Sequence, residues 1–278
     1  MSDDAERPTA SGRILGNSDE CAKLITAEAT RWAKCHPRCG DQGAMIMEAA
    51  LHSRVANHYA QSDLIGAIRD GLGRIGCGLG GPARQIAAHY GCQVDGIDLT
   101  RDYVEAGNVL SEWLHLNECV SLQQGDALAL PFTDSFFSAA YMLHVGMNIA
   151  DKSALFAEAA RVLRAGARFA IFDVMRTGDG ELSCPLPWAS TADTNAIVSP
   201  GEYRNALSAA GVEIVSERER RDVALDYFAR QRAQAAAAPS ALGVHTLIGA
   251  RRPEMVRNMS GSISASQIAP VELIARRN

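Results

Sequence analysis

"RIGCGLGGPARQIAAHYGCQVDGIDLT", Arg74 to Thr100, strings together a short apolar run, a glycine cluster, a helical stretch and a second apolar run that ends on an acid. Gly76, Gly78 and Gly81 match G-x-G-x-x-G, with a predicted strand before and a predicted helix after. Missing Cβ atoms let a ligand approach the backbone, and the start of the helix offers N–H groups that have no partner within it. Pro82 suits the first helical turn, where its absent N–H costs nothing. Thr100 suits the N-cap of the next helix. Asp98 lies twenty-two residues beyond Gly76, at the end of the second strand, where a carboxylate accepts hydrogen bonds from ribose hydroxyls. An adenosine-bearing cofactor follows, and the pattern alone leaves open which one.

Outward from this stretch, short apolar runs alternate with helical segments, the pattern of βαβ units in a mostly parallel sheet. Strands are predicted at 72–76, "CQVDGID", "CVSLQQ", "FSAAYML" and "RFAIFDVM", with helices from Pro82, near Asp102 and near Lys152. A loop-rich piece, "RTGDGELSCPLPWASTADTNAIVSP", precedes a helix from Pro200 and the strand "VEIVSER". A helical insertion then leads to a last strand, "PVELIAR", and an antiparallel ending to a parallel sheet accounts for that pair. Upstream, "MIMEAALHSRVANHYA" has apolar residues at helical spacing, so residues 19–66 read as a helical cap. The expected division is a tail over 1–18 and one domain over 19–278, with its core at 67–220 and the insertion and final strand at 221–278.

Composition narrows the function classes. A chain of 278 residues, 47% hydrophobic, can bury a large core. Its net charge of -5 gives no footprint for nucleic acid, and Arg218, Arg220 and Arg221 alternate with Glu217, Glu219 and Asp222 in what reads as a solvated edge. The polar, acidic start is neither a secretory signal nor a membrane anchor, and a cytoplasmic location is expected. Seven cysteines, mostly within apolar or helical patterns, suit reduced thiols. "CHPRC", Cys35 to Cys39, has no second ligand pair at zinc-like spacing and reads as a loop, so no metal is expected.

A dinucleotide dehydrogenase and an S-adenosylmethionine enzyme both use such a glycine loop. "GCGLGGPAR", "GIDLT", "GDALALPF" and "HVGMNIADK", in this order and spacing, resemble the class I S-adenosylmethionine-dependent methyltransferases of the small-molecule branch over roughly residues 70–220. The resemblance implies a Rossmann-like α/β fold: a seven-stranded, mostly parallel sheet of order 3-2-1-4-5-7-6, strand 7 antiparallel, with helices on both faces. It implies S-adenosylmethionine as cofactor, with Gly76, Gly78 and Leu79 on the methionine side, Asp98 and Leu99 at the ribose, Asp126 and Ala127 at the adenine, and Leu143 at the rim. Three positions depart from the family: Arg74 stands where an acid is usual, Ser138 where an Asp is, and Ala165 to Ala167 where Pro-Gly-Gly is.

Methyl transfer is an in-line displacement on a sulfonium, so positioning and desolvation do most of the work. A base is needed only for a protonated acceptor, and His144, at the end of the fourth strand, is the candidate. Met147, Asn148, Arg176 and Trp188 are candidates for shaping the acceptor pocket, with helix capping and loop packing as their structural alternatives. The expected partner is a small-molecule acceptor with an N, O or activated C nucleophile; a homodimer is allowed. A catalytically silent binding or assembly protein is the alternative function. A nicotinamide oxidoreductase ranks below it, because neither Tyr203 nor Tyr227 has a lysine four residues on. Arg74, on a central strand covered on both faces, must pair with an acid, Asp98 or Asp126 by topology, or reach the cleft.

Overall fold

The computed structural model describes residues 71–237 and 251–278; the predicted helical cap and the "CHPRC" segment lie outside them. Seven strands run β1 Leu72–Ile75, β2 Val94–Asp98, β3 Val120–Gln124, β4 Phe137–Leu143, β5 Leu163–Arg176, β6 Val212–Glu219 and β7 Ile268–Arg277. They form one sheet of order β3-β2-β1-β4-β5-β7-β6, with β7 antiparallel to both of its neighbours. The helices are α1 Gly81–Tyr90, α2 Arg101–Trp113, α3 Lys152–Val162, α4 Pro200–Ala209, α5 Arg221–Ala237 and α6 Arg252–Ser264. Fold class, strand order and the odd antiparallel strand are as expected from the sequence.

Strand alternation explains the two-sided core. Leu72 and Val94 face one side with Ile86, Ala87 and Val104, whereas Ile75 and Ile97 face the other with Leu155, Phe156, Tyr203 and Leu207. α1 and α2 therefore cover one face, and α3 and α4 the opposite one. Each large side chain removed from water here contributes about 1.5–3 kcal/mol. A third apolar cluster, with Met147, Val174, Leu186, Trp188, Phe228, Ile263 and Ile268, brings the loop after β5 together with α5 and α6.

Local signals place the helices. Pro82 occupies the first turn of α1, as predicted. Ser199 and Glu202 form a capping box on α4, and Asp151 caps α3 through the Ala154 N–H at 2.9 Å. Thr100 holds the N-cap position of α2, yet its side chain makes no capping bond; its backbone N–H goes instead to Asp98 Oδ1 at 2.9 Å. β3 is a sheet edge, and Asn108 of α2 answers its exposed backbone, donating to the Leu122 carbonyl at 2.9 Å and accepting from the Leu122 N–H at 3.2 Å. β5 begins five residues earlier than the run "RFAIFDVM" indicates, because Leu163 already pairs with Phe137 across a register shift.

Candidate functional site

The parallel strands β3, β2, β1 and β4 end on one edge of the sheet, and their following loops converge there. Asp98 sits at the end of β2, partly buried. Its Oδ2 accepts from the Gly78 N–H at 2.7 Å and its Oδ1 from the Thr100 N–H. The predicted ribose acid thus also ties the glycine loop to the start of α2. Gly78 has φ +53°, and a Cβ there would meet nothing within 4 Å, so the loop leaves an open cradle beside Asp98. Cys77, in the same loop, is buried, and burial pushes its thiol up to about 12; it packs rather than reacts.

A residue that sequence reasoning missed fixes this loop. Arg84 of α1 is fully buried and donates to the Leu79 carbonyl at 2.5 Å, the Gly107 carbonyl at 2.6 Å and Ser111 Oγ at 2.9 Å, clamping the glycine loop against α2. Asp126, past β3, is exposed; Oδ1 accepts from the Leu128 N–H at 2.9 Å and turns the loop that carries Ala127. Arg161 of α3 steadies that loop through the carbonyls of Leu130 (2.9 Å) and Phe132 (2.7 Å) and through Glu158 at 2.7 Å. Leu99 is exposed at the strand end, while Leu143 is buried.

His144 directly follows β4 with φ +57°, a conformation that a non-glycine residue holds only when its surroundings impose it. The His144 N–H donates to the Phe172 carbonyl at 2.8 Å, and its ring packs edge-on against Phe172 at 5.2 Å. The residue is half-buried, and the protein around its ring desolvates it enough that, aided by the Arg74 charge, its pKa falls to about 4. At neutral pH the imidazole is the free base. Asn148 donates to the carbonyls of Val145 (3.2 Å) and His144 (3.4 Å), closing the turn after the strand.

The turn is pinned from below by a triad the sequence did not reveal. Asp173 of β5 has no exposed surface and accepts from Tyr203 Oη at 2.8 Å. Its Oδ1 has no partner, and burial raises its carboxyl to about 7 against the pull of Tyr203, Lys152 and the Gly146 and Met147 amides. Lys152 donates to the Ile149 carbonyl and to the Ala196 carbonyl at 2.8 Å, and lies over the Tyr203 ring at 5.6 Å. Only glycine fits at 146, since a Cβ would stand 2.4 Å from Tyr203 Oη and 2.5 Å from Asp173 Oδ2. The one available signal was the acid inside the apolar run from Phe169 to Met175.

On the acceptor side, Met147 and Trp188 share the third apolar cluster, and Trp188 Nε1 donates to Asn195 Oδ1 at 3.0 Å. Arg176 is folded into its own loop, donating to the Gly178 carbonyl at 2.8 Å and to that of Gly180. Arg74 corrects the expectation of an acidic partner. It is 4% exposed, lies under the Tyr141 ring at 5.1 Å, and reaches the Tyr141 hydroxyl only at 3.4 Å. Among the described residues it makes no ion pair, with Asp98, Asp126 or any other acid, and its Nε has no partner. Ser138, another departure from the family, donates to the Gly71 carbonyl at 3.0 Å. Among the described residues no group of His, Cys, Asp and Glu could hold a metal ion.

The methyltransferase domain family matches residues 74–171. A probable chloroplastic tocopherol O-methyltransferase of Oryza sativa subsp. japonica is 41% identical over 97 residues, 35% of this chain and 27% of that one. A sterol 24-C-methyltransferase of Eremothecium gossypii is 29% identical over 189 residues, 66% of this chain and 49% of that one. The chain thus spans half or less of the length of these two relatives. Geranyl diphosphate C-methyltransferase from Streptomyces coelicolor A3(2), solved with Mg2+, geranyl diphosphate and S-adenosyl-L-homocysteine, superposes with a TM-score of 0.67 at 22% identity, covering 81% of this chain and 77% of that one. Residues 74–171 are a methyltransferase domain, and the sheet that contains them has the fold of the class I S-adenosylmethionine-dependent methyltransferases.

Proposed function

We propose that the chain transfers a methyl group from S-adenosylmethionine to an N, O or activated C atom of a small molecule. The observation that carries this reading is Asp98 at the end of β2, beside a glycine loop whose Gly78 leaves room for a ligand. Asp126, Asp98 and the loop after β1 follow one another across β3, β2 and β1, which supports assigning them in turn to the adenine, the ribose and the amino-acid tail. Gly76, Gly78, Leu79, Leu99, Ala127 and Leu143 complete the cofactor's surroundings. When bound, S-adenosylmethionine supplies a methyl group on a sulfonium, already carrying its leaving group.

This chain's own residues would then position and deprotonate. His144, the free base at neutral pH, accepts the proton of a hydroxyl or amine acceptor, or orients it by a hydrogen bond. Met147 and Trp188, buried in the third apolar cluster, would shape the acceptor side from beneath, with Asn148 and Arg176 shaping the loops beside it. An acceptor with an apolar body suits that side, and the three similar proteins are named for tocopherol, sterol and geranyl diphosphate. We place the protein in the cytoplasm, on the unpaired thiols of Cys77, Cys92, Cys119 and Cys184, and apart from nucleic acid, on its net charge of -5. No described helix is long and apolar enough to cross a membrane.

Calorimetry with S-adenosylmethionine, S-adenosylhomocysteine and NAD tests the reading. Binding of the first two and not of NAD is expected; binding of NAD alone overturns it. A catalytically silent protein is favoured by one observation, the unpaired cation at Arg74 on the cofactor side. Cofactor binding without methyl transfer to any member of an acceptor panel would establish that second reading.

A further inference from the structure

We propose that Arg74 is the anchor for the cofactor's α-carboxylate, so that this chain recognises the anionic rather than the cationic group of the amino-acid tail. The inference rests on the reading of the site as one for S-adenosylmethionine.

An arginine stays protonated in any protein environment, and leaving it buried without a counter-charge is costly. Arg74 is buried at the carboxyl end of β1, two residues before the glycine loop. Its in-register neighbours on the adjoining strands are Gly96 and Tyr141, neither of them acidic. The Tyr141 ring and a hydroxyl at 3.4 Å are its only partners among the described residues, and Nε makes no hydrogen bond. Gly96 adds no side chain, and the groups packed over it, Cys77 and Leu122, carry no negative charge to take up the cation.

Topology says which part of the ligand arrives there. With Asp126 after β3 and Asp98 at the end of β2, adenine and ribose take the outer strands of the order β3-β2-β1-β4. The tail is left over β1 and β4, between Arg74 and His144. That tail offers a sulfonium and an ammonium, both repelled by a guanidinium, and one carboxylate, which a guanidinium binds through charge-assisted hydrogen bonds. The carboxylate is the sole group of the three that satisfies Arg74.

Three ligands test this on the unaltered chain by calorimetry: S-adenosylhomocysteine, its deaminated analogue, which keeps the carboxylate, and its decarboxylated analogue, which keeps the amine. Removing the carboxylate should weaken binding at least about tenfold, and removing the amine by less than about threefold. In Arg74→Met, with folding checked by circular dichroism and thermal melting, the parent and the decarboxylated ligand should bind within about threefold of each other, while Arg74→Lys keeps the preference. Equal losses from the two analogues on the unaltered chain would overturn the assignment and leave the cofactor reading standing. Absence of S-adenosylhomocysteine binding altogether would overturn both.

Discussion

Asp98 and His144 serve different parts of the site, and single substitutions separate them. Asp98 holds the glycine loop through the Gly78 and Thr100 N–H groups and faces the open cradle beside Gly78. Asp98→Ala should weaken S-adenosylhomocysteine binding at least about tenfold by calorimetry, the worth of a charge-assisted contact. It should also lower the melting temperature, because two loop amides lose their acceptor. Unchanged affinity would remove Asp98 from the site. His144 should act on turnover more than on affinity: His144→Ala lowers kcat and leaves cofactor binding within about threefold. Since burial holds its pKa near 4, the acidic limb of kcat/KM in the unaltered enzyme should lie near pH 4 rather than at the ordinary imidazole value of 6.5. A limb at 6.5 would exclude His144 in this environment as the base.

At the scale of elements, the segment from the end of β4 to α3 is held by packing from β5 and α4. Gly146 is the point of closest approach, and Gly146→Ala forces its new methyl into Tyr203 Oη and Asp173. Overpacking of this kind costs about 1–3 kcal/mol, and relief requires the turn bearing Met147 and Asn148 to move. The expected result in urea denaturation is a lower midpoint with an unchanged slope, together with a fall in kcat larger than the change in cofactor affinity. A variant with normal stability and normal turnover would show that the turn tolerates the shift. Of this arrangement, only the turn was legible in the sequence, as the stretch "HVGMN". Its support comes from Asp173 and Tyr203, thirty residues apart, and no local pattern links an acid on one strand to a tyrosine on a later helix.

For the whole molecule, two groups shifted by desolvation give stability opposite slopes with pH. His144 is lowered from 6.5 to about 4, so between those values the unfolded chain takes up a proton that the folded chain refuses, and stability rises with pH. Asp173 is raised from 3.8 to about 7, so the folded chain keeps a proton that the unfolded chain has lost, and stability falls as pH rises across that range. Over the shared window the two offset each other. Asp173→Asn removes the falling contribution, and chemical denaturation at pH 4.5, 5.5, 6.5 and 8 should show its stability, relative to the unaltered chain, improving up to about pH 7, by at most about 1.4 kcal/mol per unit, and levelling off by pH 8. A constant difference across the series would mean that Asp173 does not titrate there.

The glycine loop, the acid after β2, the alternation of strands and helices, and the capping residues of α3 and α4 are all encoded within a few residues of one another. Strand periodicity, helix caps and close backbone approach are local physics, and on these the sequence by itself determined the alternation of strands and helices and a loop suited to an adenosine-bearing cofactor, whereas the strand order and the choice of S-adenosylmethionine were implied by the resemblance to the methyltransferases. The partners of buried charges are another matter. Arg84 on Leu79, Gly107 and Ser111, Arg161 on the loop after β3, and Asp173 on Tyr203 join groups from different elements. Arg74 shows the limit most plainly: topology put Asp98 and Asp126 within expectation, yet Asp98 accepts from the Gly78 and Thr100 N–H groups, Asp126 turns to its own loop, and the arginine meets Tyr141 instead. Which side chains share a face across neighbouring strands depends on register and on where each carboxylate finds N–H donors, and these emerge only when the sheet is assembled.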